Sequence, residues 1–280
     1  MSESFNHQAR KRFGQNFLHD TNVIEKIVRA ITPSADNLIV EIGPGKGAMT
    51  APLLATHKKL TAIEVDRDLA KHLQEKFADE TGFTLINQDV LTVDFDSLTK
   101  DTNNTESTQN DNQNTDTRQK LCILGNLPYN ISTPLIFHLL SFFDNIADMT
   151  FMLQLEVANR LCALPGDDDY GRLSIMAQYY CDVEKLFIVP PTAFNPQPKV
   201  YSAIVRLKPH SELPYKAKDH KVFSSVVRTA FNQRRKTIRN SLKNVCSSDQ
   251  LSALGIDPQL RPENLSLQDY VNISNTIGAE

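Results

Sequence analysis

Leu38-Ile39-Val40-Glu41-Ile42-Gly43-Pro44-Gly45-Lys46-Gly47 reads as a short apolar strand that runs into a glycine-rich turn, with a helix-like segment continuing from Gly47 to Thr56. Glycines in such a turn allow a tight bend and a close approach of backbone to ligand, at the positive end of the helix that follows. The same beat continues along the chain. Strand-like runs recur at Leu60 to Glu64, Thr84 to Asn87, Leu121 to Gly125 and Thr150 to Leu155. Helix-like segments lie at Asn22 to Ile31, Arg67 to Phe77 and Pro134 to Phe143. Strands alternating with helices predict an α/β fold built on a parallel sheet covered on both faces. Such a sheet binds its ligand at the carboxyl ends of its strands.

The chain has 280 residues, 40% of them apolar, enough for one large α/β domain or an ordinary domain with a smaller one. No run approaches the roughly 18 apolar residues of a membrane helix. The polar stretch Met1 to Arg12 has no apolar signal region, so a cytoplasmic protein is expected. Cys122, Cys162, Cys181 and Cys246 lie far apart with no CxxC, which suggests neither a zinc site nor a disulfide framework. Asp101 to Gln119 is polar throughout and cannot bury enough apolar surface to order itself, so it is predicted to be a mobile surface insertion.

After the prolines at 190, 191, 196 and 198, Tyr201 to Leu207 reads as a late strand. The character then turns helical, and we place a boundary near Pro209, giving domains 1–208 and 209–280. Phe223, Val227, Phe231, Ile238, Leu242 and Val245 fall on one helical face. Ser247 to Leu254 and Ser266 to Ile277 read as further short helices. The net charge of −3 runs against a nucleic-acid partner, but totals hide distribution. Val222 to Lys243 carries Arg228, Arg234, Arg235, Lys236, Arg239 and Lys243 without one acid, and Arg10-Lys11-Arg12 forms a second basic cluster. Arg235, Lys236, Arg239 and Lys243 are expected to share one side of a helix and, with Arg234, to bind RNA.

Three acids sit at successive strand ends. Glu41 precedes the glycine loop, Glu64 can accept both hydroxyls of a ribose, and Asp89 can accept a hydrogen bond from an adenine amine. An oxidoreductase with a dinucleotide is the obvious rival. Glu41 is foreign to the dinucleotide fingerprint, however, and Pro44 removes an N–H that would hold a diphosphate.

Gly125-Asn126-Leu127-Pro128-Tyr129-Asn130, after the fourth strand, is the sharpest signal in the chain. The Asn126 side-chain oxygen and the Leu127 or Pro128 carbonyl can both accept hydrogen bonds from an NH2 group, and Tyr129 offers a flat face to a flipped base. An aromatic amine is a poor nucleophile because its lone pair is delocalised. Two acceptors gripping its hydrogens favour a pyramidal nitrogen and stabilise the charge that develops on it. Phe194, in Phe194-Asn195-Pro196-Gln197-Pro198-Lys199-Val200, is a candidate second wall, with a core phenylalanine in a proline-rich connection as the alternative.

On these residues the chain closely resembles the bacterial small-subunit ribosomal RNA adenine dimethyltransferases, from about His7 to Ile277. Further matching motifs are Arg10 to Leu18, Tyr170-Gly171-Arg172-Leu173-Ser174 and Ala230 to Lys236. The resemblance implies a Rossmann-like methyltransferase domain, a small helical C-terminal domain, and S-adenosylmethionine as cofactor. It further implies transfer of four methyl groups to two adjacent adenosines near the 3′ end of 16S rRNA, in the small ribosomal subunit. Carried over by position, the cofactor set is Asn16, Leu18, Gly43, Glu64, Asp89 and Asn126. Leu155 departs from the pattern, standing where a basic residue is expected. A monomer is the simplest expectation. Rival readings are a large-subunit rRNA methyltransferase, a DNA amino-methyltransferase and a non-catalytic assembly factor.

Overall fold

The computed structural model describes residues 15–31, 33–99 and 119–277. The basic cluster Arg10-Lys11-Arg12 and nearly all of the Asp101–Gln119 insertion lie outside the described residues. In chain order the first elements are β1 (Phe17–Leu18), α1 (Thr21–Ala30), β2 (Leu38–Ile42), α2 (Thr50–His57), β3 (Leu60–Ile63), α3 (Arg67–Lys76) and β4 (Phe83–Ile86). Then come α4 (Phe95–Leu98), β5 (Leu121–Asn126), α5 (Ser132–Leu140), β6 (Ile146–Gln154), α6 (Leu155–Cys162), α7 (Arg172–Tyr180) and β7 (Cys181–Val189). The chain ends with β8 (Phe194–Asn195), β9 (Ser202–Pro209), α8 (His220–Phe231), α9 (Ile238–Ser241), α10 (Ser248–Ala253) and α11 (Leu267–Ile277).

The main sheet has the strand order β4-β3-β2-β5-β6-β9-β7. Strands β4 to β6 in that order pair in parallel, and β9 closes on β6 antiparallel. Order reverses beside β2, so a crevice opens at the carboxyl ends of β2 and β5, where an α/β sheet receives its ligand. Successive residues of β5 from Leu121 to Gly125 are all buried. Neighbours on a strand face opposite ways, so both faces of the sheet are covered, as parallel pairing requires.

Local chemistry starts the helices. Asp20 accepts hydrogen bonds from the Asn22 and Val23 amides at 3.0 and 3.2 Å and caps α1. Asp66 caps α3 through Asp68. Asp219 caps α8 through Lys221 at 2.6 Å and Val222 at 3.2 Å. Each satisfies amides that the first turn leaves without helical partners.

The chain divides into two compact units, Met1–Leu155 with Lys185–Pro209, and Glu156–Glu184 with His210–Glu280. The helical unit therefore takes 29 residues that the sequence boundary near Pro209 leaves in the first domain (184 minus 156, inclusive). Its core explains why. Tyr179 on α7 packs its ring 4.5 Å from Phe223 on α8, and Phe231 lies 6.4 Å from Tyr170 and 5.9 Å from Tyr270. Periodicity shows that α7 has an apolar face but not which apolar surface will cover it.

The C-terminal apolar face holds, since Phe223, Val227, Ile238 and Leu242 are all buried, but it is not one helix. α8 stops at Phe231, and Asn232 to Lys236 forms turns. The Ile238 amide leaves the helical ladder for the distant Leu260 carbonyl at 2.7 Å, and Lys236 donates to Gln233 at 2.8 Å. Three adjacent cations also repel one another less in an open turn. Arg234, Arg235 and Lys236 thus stand on a turn, and the helical basic face expected of Arg235 and Lys236 is corrected accordingly.

At the centre of the sheet Ile42 on β2 sits opposite Gly125 on β5. A Cβ on Gly125 would lie 2.4 Å from the Ile42 carbonyl oxygen. Gly125→Ala should therefore cost about 1–3 kcal/mol of unfolding free energy, as overpacking of a rigid core does. Urea unfolding measures this, and an unchanged midpoint would contradict the close approach.

Candidate active site

The glycine loop leaves β2 at the crevice. Gly43, Gly45 and Gly47 have φ of 65°, 59° and 76°, left-handed values that disfavour other residues. At Gly45 space is tight as well, since a Cβ would lie 3.1 Å from the Phe17 ring. Gly43 lies against β5's end, where a Cβ would be 3.7 Å from the Asn126 carbonyl oxygen. Loop and acceptor turn are thus brought side by side by parallel pairing of their strands.

A cavity in the first unit is lined by Asn16, Leu18, Gly43, Glu64, Asp89 and Asn126, together with Leu127, Pro128 and Tyr129. Every residue of the proposed cofactor set and of the Asn126–Tyr129 turn borders this one space. Phe194 does not. Its ring is 1% exposed in the hydrophobic core, because β8 pairs with β1 in a register that sets Phe194 opposite Leu18. The expectation of Phe194 as an exposed second wall is thereby corrected, and the core alternative describes its position.

Glu64 accepts hydrogen bonds from the Gly45 amide at 3.3 Å and the Asp66 amide at 2.9 Å. Burial outweighs those bonds and pushes its carboxyl up to about 7. Asp89 is exposed and uses one oxygen to cap the turn at Leu91 at 3.0 Å. Asn126 donates from Nδ2 to the Asn16 carbonyl at 2.9 Å. That bond fixes the amide's sense and leaves Oδ1 as the acceptor end. The Leu127 amide donates to Met152 on β6 at 3.2 Å, and the Pro128 carbonyl accepts from the Ile131 amide at 3.1 Å. The turn is therefore anchored before and after Pro128.

Glu41 does not line the cavity. It is completely buried, accepts a 2.6 Å hydrogen bond from Thr50 Oγ1, and its Oε1 has no hydrogen-bond partner among the described residues. Burial raises its carboxyl to about 7. Sequence reasoning missed Gln15, whose Nε2 donates to Asp66 Oδ2 at 3.2 Å, and Gln88, both at the cavity. Each stands directly before a residue that the sequence did single out, Asn16 and Asp89, so nearness to those positions was the available signal.

Among the described residues the wall carries two carboxylates, Glu64 and Asp89, and one cation, Lys46, whose Nζ sits 5.0 Å from the Phe17 ring centre. Such a surface suits a nucleoside with hydroxyl and amine donors and a positive charge of its own, and is a poor host for a diphosphate. Among the described residues no cluster of three His, Cys, Asp or Glu side chains could hold a metal, and no helix is long and apolar enough to cross a membrane.

Sheet order, glycine loop and carboxylates define a Rossmann-like enzyme that binds a nucleoside cofactor, and the Asn126 turn beside them marks an amino-methyltransferase. The family model for "Ribosomal RNA adenine dimethylase" matches residues 6–278. The chain belongs to that family, whose enzymes methylate adenine in ribosomal RNA and take the methyl from S-adenosylmethionine. It is 55% identical over 277 residues to "Ribosomal RNA small subunit methyltransferase A" of Marinobacter nauticus, covering 99% of this chain and 94% of that one. The protein of the same name from Pseudomonas syringae pv. tomato is 52% identical, covering 99% and 97%. In fold it is similar to a dimethyladenosine transferase from Plasmodium falciparum, with a TM-score of 0.72 and 24% identity over 91% of this chain and 95% of that one. The 23S rRNA methyltransferase ErmE gives a TM-score of 0.67 at 24% identity, over 94% and 100%.

Glu41 makes a pH prediction. Its carboxyl is raised in the folded state, so the stability it contributes is complete below about 4.5 and is lost as pH rises through about 7. Across that window the wild type should lose roughly 3 kcal/mol relative to Glu41→Gln. Denaturant unfolding at stepped pH measures the difference, and parallel curves for the two proteins would contradict it.

Proposed function

We propose that this chain dimethylates the N6 amines of two adjacent adenosines in a hairpin near the 3′ end of small-subunit rRNA, four transfers in all, on the assembling small ribosomal subunit. In this reading it works in the cytoplasm as a monomer. The small subunit is favoured over the large because relatives that are more than half identical along almost the whole chain carry the small-subunit name.

The observation that carries the reading is Asn126, which donates to the Asn16 carbonyl and lines the wall that Gly43 and Glu64 also line. Glu64 would hold the ribose hydroxyls of S-adenosylmethionine, Asp89 its adenine amine, and Asn16, Leu18 and the Gly43 loop its remaining faces. When bound, this cofactor supplies a methyl carbon made electrophilic by a sulfonium. Asn126 Oδ1 accepts one hydrogen of the target amine. Of the two neighbouring carbonyls, that of Pro128 is engaged by Ile131, which makes Leu127 the better second acceptor. Together they hold the nitrogen pyramidal, with its lone pair directed into the cavity, and their dipoles meet the positive charge as it develops. The proton becomes acidic once that charge is present, so no strong base is required of the chain. Tyr129 supplies the stacking face for the extruded base.

Asn126→Ala should lower kcat by about 10²–10³, as loss of one preorganised charge-stabilising group does, while leaving subunit binding intact. Labelled methyl incorporation into unmethylated subunits reads the first and co-sedimentation the second. Full activity in the variant would defeat the assignment. If the inactive variant alone restored subunit assembly in cells, the assembly-factor role would dominate.

Arg235, Lys236, Arg239 and Lys243 are exposed and are proposed to contact RNA phosphates in the helical unit. Arg234 has a second duty, since its guanidinium donates to the Asp168 carbonyl and lies 3.9 Å from Glu263. Replacing Arg235 and Lys236 by Ala should weaken subunit binding and flatten its salt dependence by roughly 0.7–0.9 log units for each phosphate no longer neutralised. Affinity for S-adenosylmethionine should not move. Equal loss of both affinities would contradict an RNA role.

A further inference from the structure

Tyr129 is fixed at both of its ends. Its carbonyl accepts from Ser132 Oγ at 3.1 Å, at the start of α5. Its phenol lies 2.7 Å from Ser202 Oγ, 73 residues further along the chain. Ser202 is completely buried and opens β9, opposite Gln154 of β6. The residues after it, Ala203, Ile204 and Val205, are apolar and buried. A hydroxyl in that row carries a desolvation cost that only a partner offsets, and Tyr129 is the partner present. The phenol oxygen therefore points toward the buried start of β9. Burial also raises its pKa, so it stays neutral and does not exchange protons with the reaction.

We propose that Ser202 is a positioning residue, whose hydroxyl holds the Tyr129 phenol oxygen and so sets the direction of the ring's long axis beside the target adenine. This rests on the adenine-methylating reading above. An aromatic ring attached through two rotatable bonds stacks productively only over a narrow range of angles. The turn holds the backbone end of Tyr129, and the Ser202 hydroxyl holds the phenol end. A buried strand is a stiffer anchor than a loop, which explains a hydrogen bond made across so much chain. The ring's orientation is thus set by the antiparallel pairing of β9 with β6, outside the acceptor turn.

The test is a double-mutant cycle on unmethylated small subunits with labelled S-adenosylmethionine. Ser202→Ala and Tyr129→Phe remove the same hydrogen bond from opposite sides. Each should lower kcat/KM for the subunit about tenfold, the effect of losing one well-placed hydrogen bond, and leave KM for S-adenosylmethionine unchanged. The double variant should be no worse than either single one, since the two share one interaction. Losses that multiply in the double variant, or a Ser202→Ala enzyme as active as wild type, would overturn the proposal. If Ser202→Ala does not fold, Tyr129→Phe decides alone, because it takes only the hydroxyl from the ring: wild-type kcat/KM would then overturn it. A wild-type protein that incorporates no methyl would instead sink the parent reading.

Discussion

The whole site depends on two parallel strands lying as close as their backbones allow. β2 and β5 pair from Leu38 opposite Leu121 to Ile42 opposite Gly125, and at the last pair only a hydrogen fits between carbonyl and Cα. Each strand then releases a turn at the same edge of the sheet, and both turns line the one cavity. Gly43 and Asn126 become neighbours although 83 residues separate them (126 minus 43). A one-residue slip would turn every side chain of the strand to the other face, so burial on both faces fixes the register and with it the site.

Polar groups around the cavity are held by the fold before any ligand arrives. Glu64 is bracketed by the Gly45 and Asp66 amides, Asn126 by the Asn16 carbonyl, and Tyr129 by Ser132 and Ser202. A reaction that needs no strong base depends on alignment and on dipoles set in advance, so its requirement is rigidity rather than a perturbed acid. The raised carboxyls of Glu41 and Glu64 follow the same logic: burial that excludes water from the loop also makes charge there expensive.

In the helical unit, aromatic rings take over the role that the sheet plays in the first. Tyr170, Tyr179, Phe223, Phe231 and Tyr270 pack ring against ring from α7, α8, α11 and the segment before α7. Their packing leaves the basic turn at the surface and draws one of its cations, Arg234, back toward Asp168 and Glu263. A run of like charges is therefore divided between holding the fold and facing outward.

Much of this was written in local sequence. Strand-and-turn alternation fixed the class of fold, the glycines at 43, 45 and 47 announced their positive φ, and Asn126 to Tyr129 marked a turn that lines the cavity, because each is a short-range property of neighbouring residues. Three features were decided only in space. Residues 156–184 join the helical unit, Phe194 turns into the core and the C-terminal helix breaks after Phe231. In each case the outcome depends on which distant surface or carbonyl satisfies a residue: Phe223 for Tyr179, the β1 strand for Phe194, Leu260 for the Ile238 amide. Sequence periodicity records that a face is apolar or an amide present. It does not record the partner, because that partner is brought near only by the folded chain.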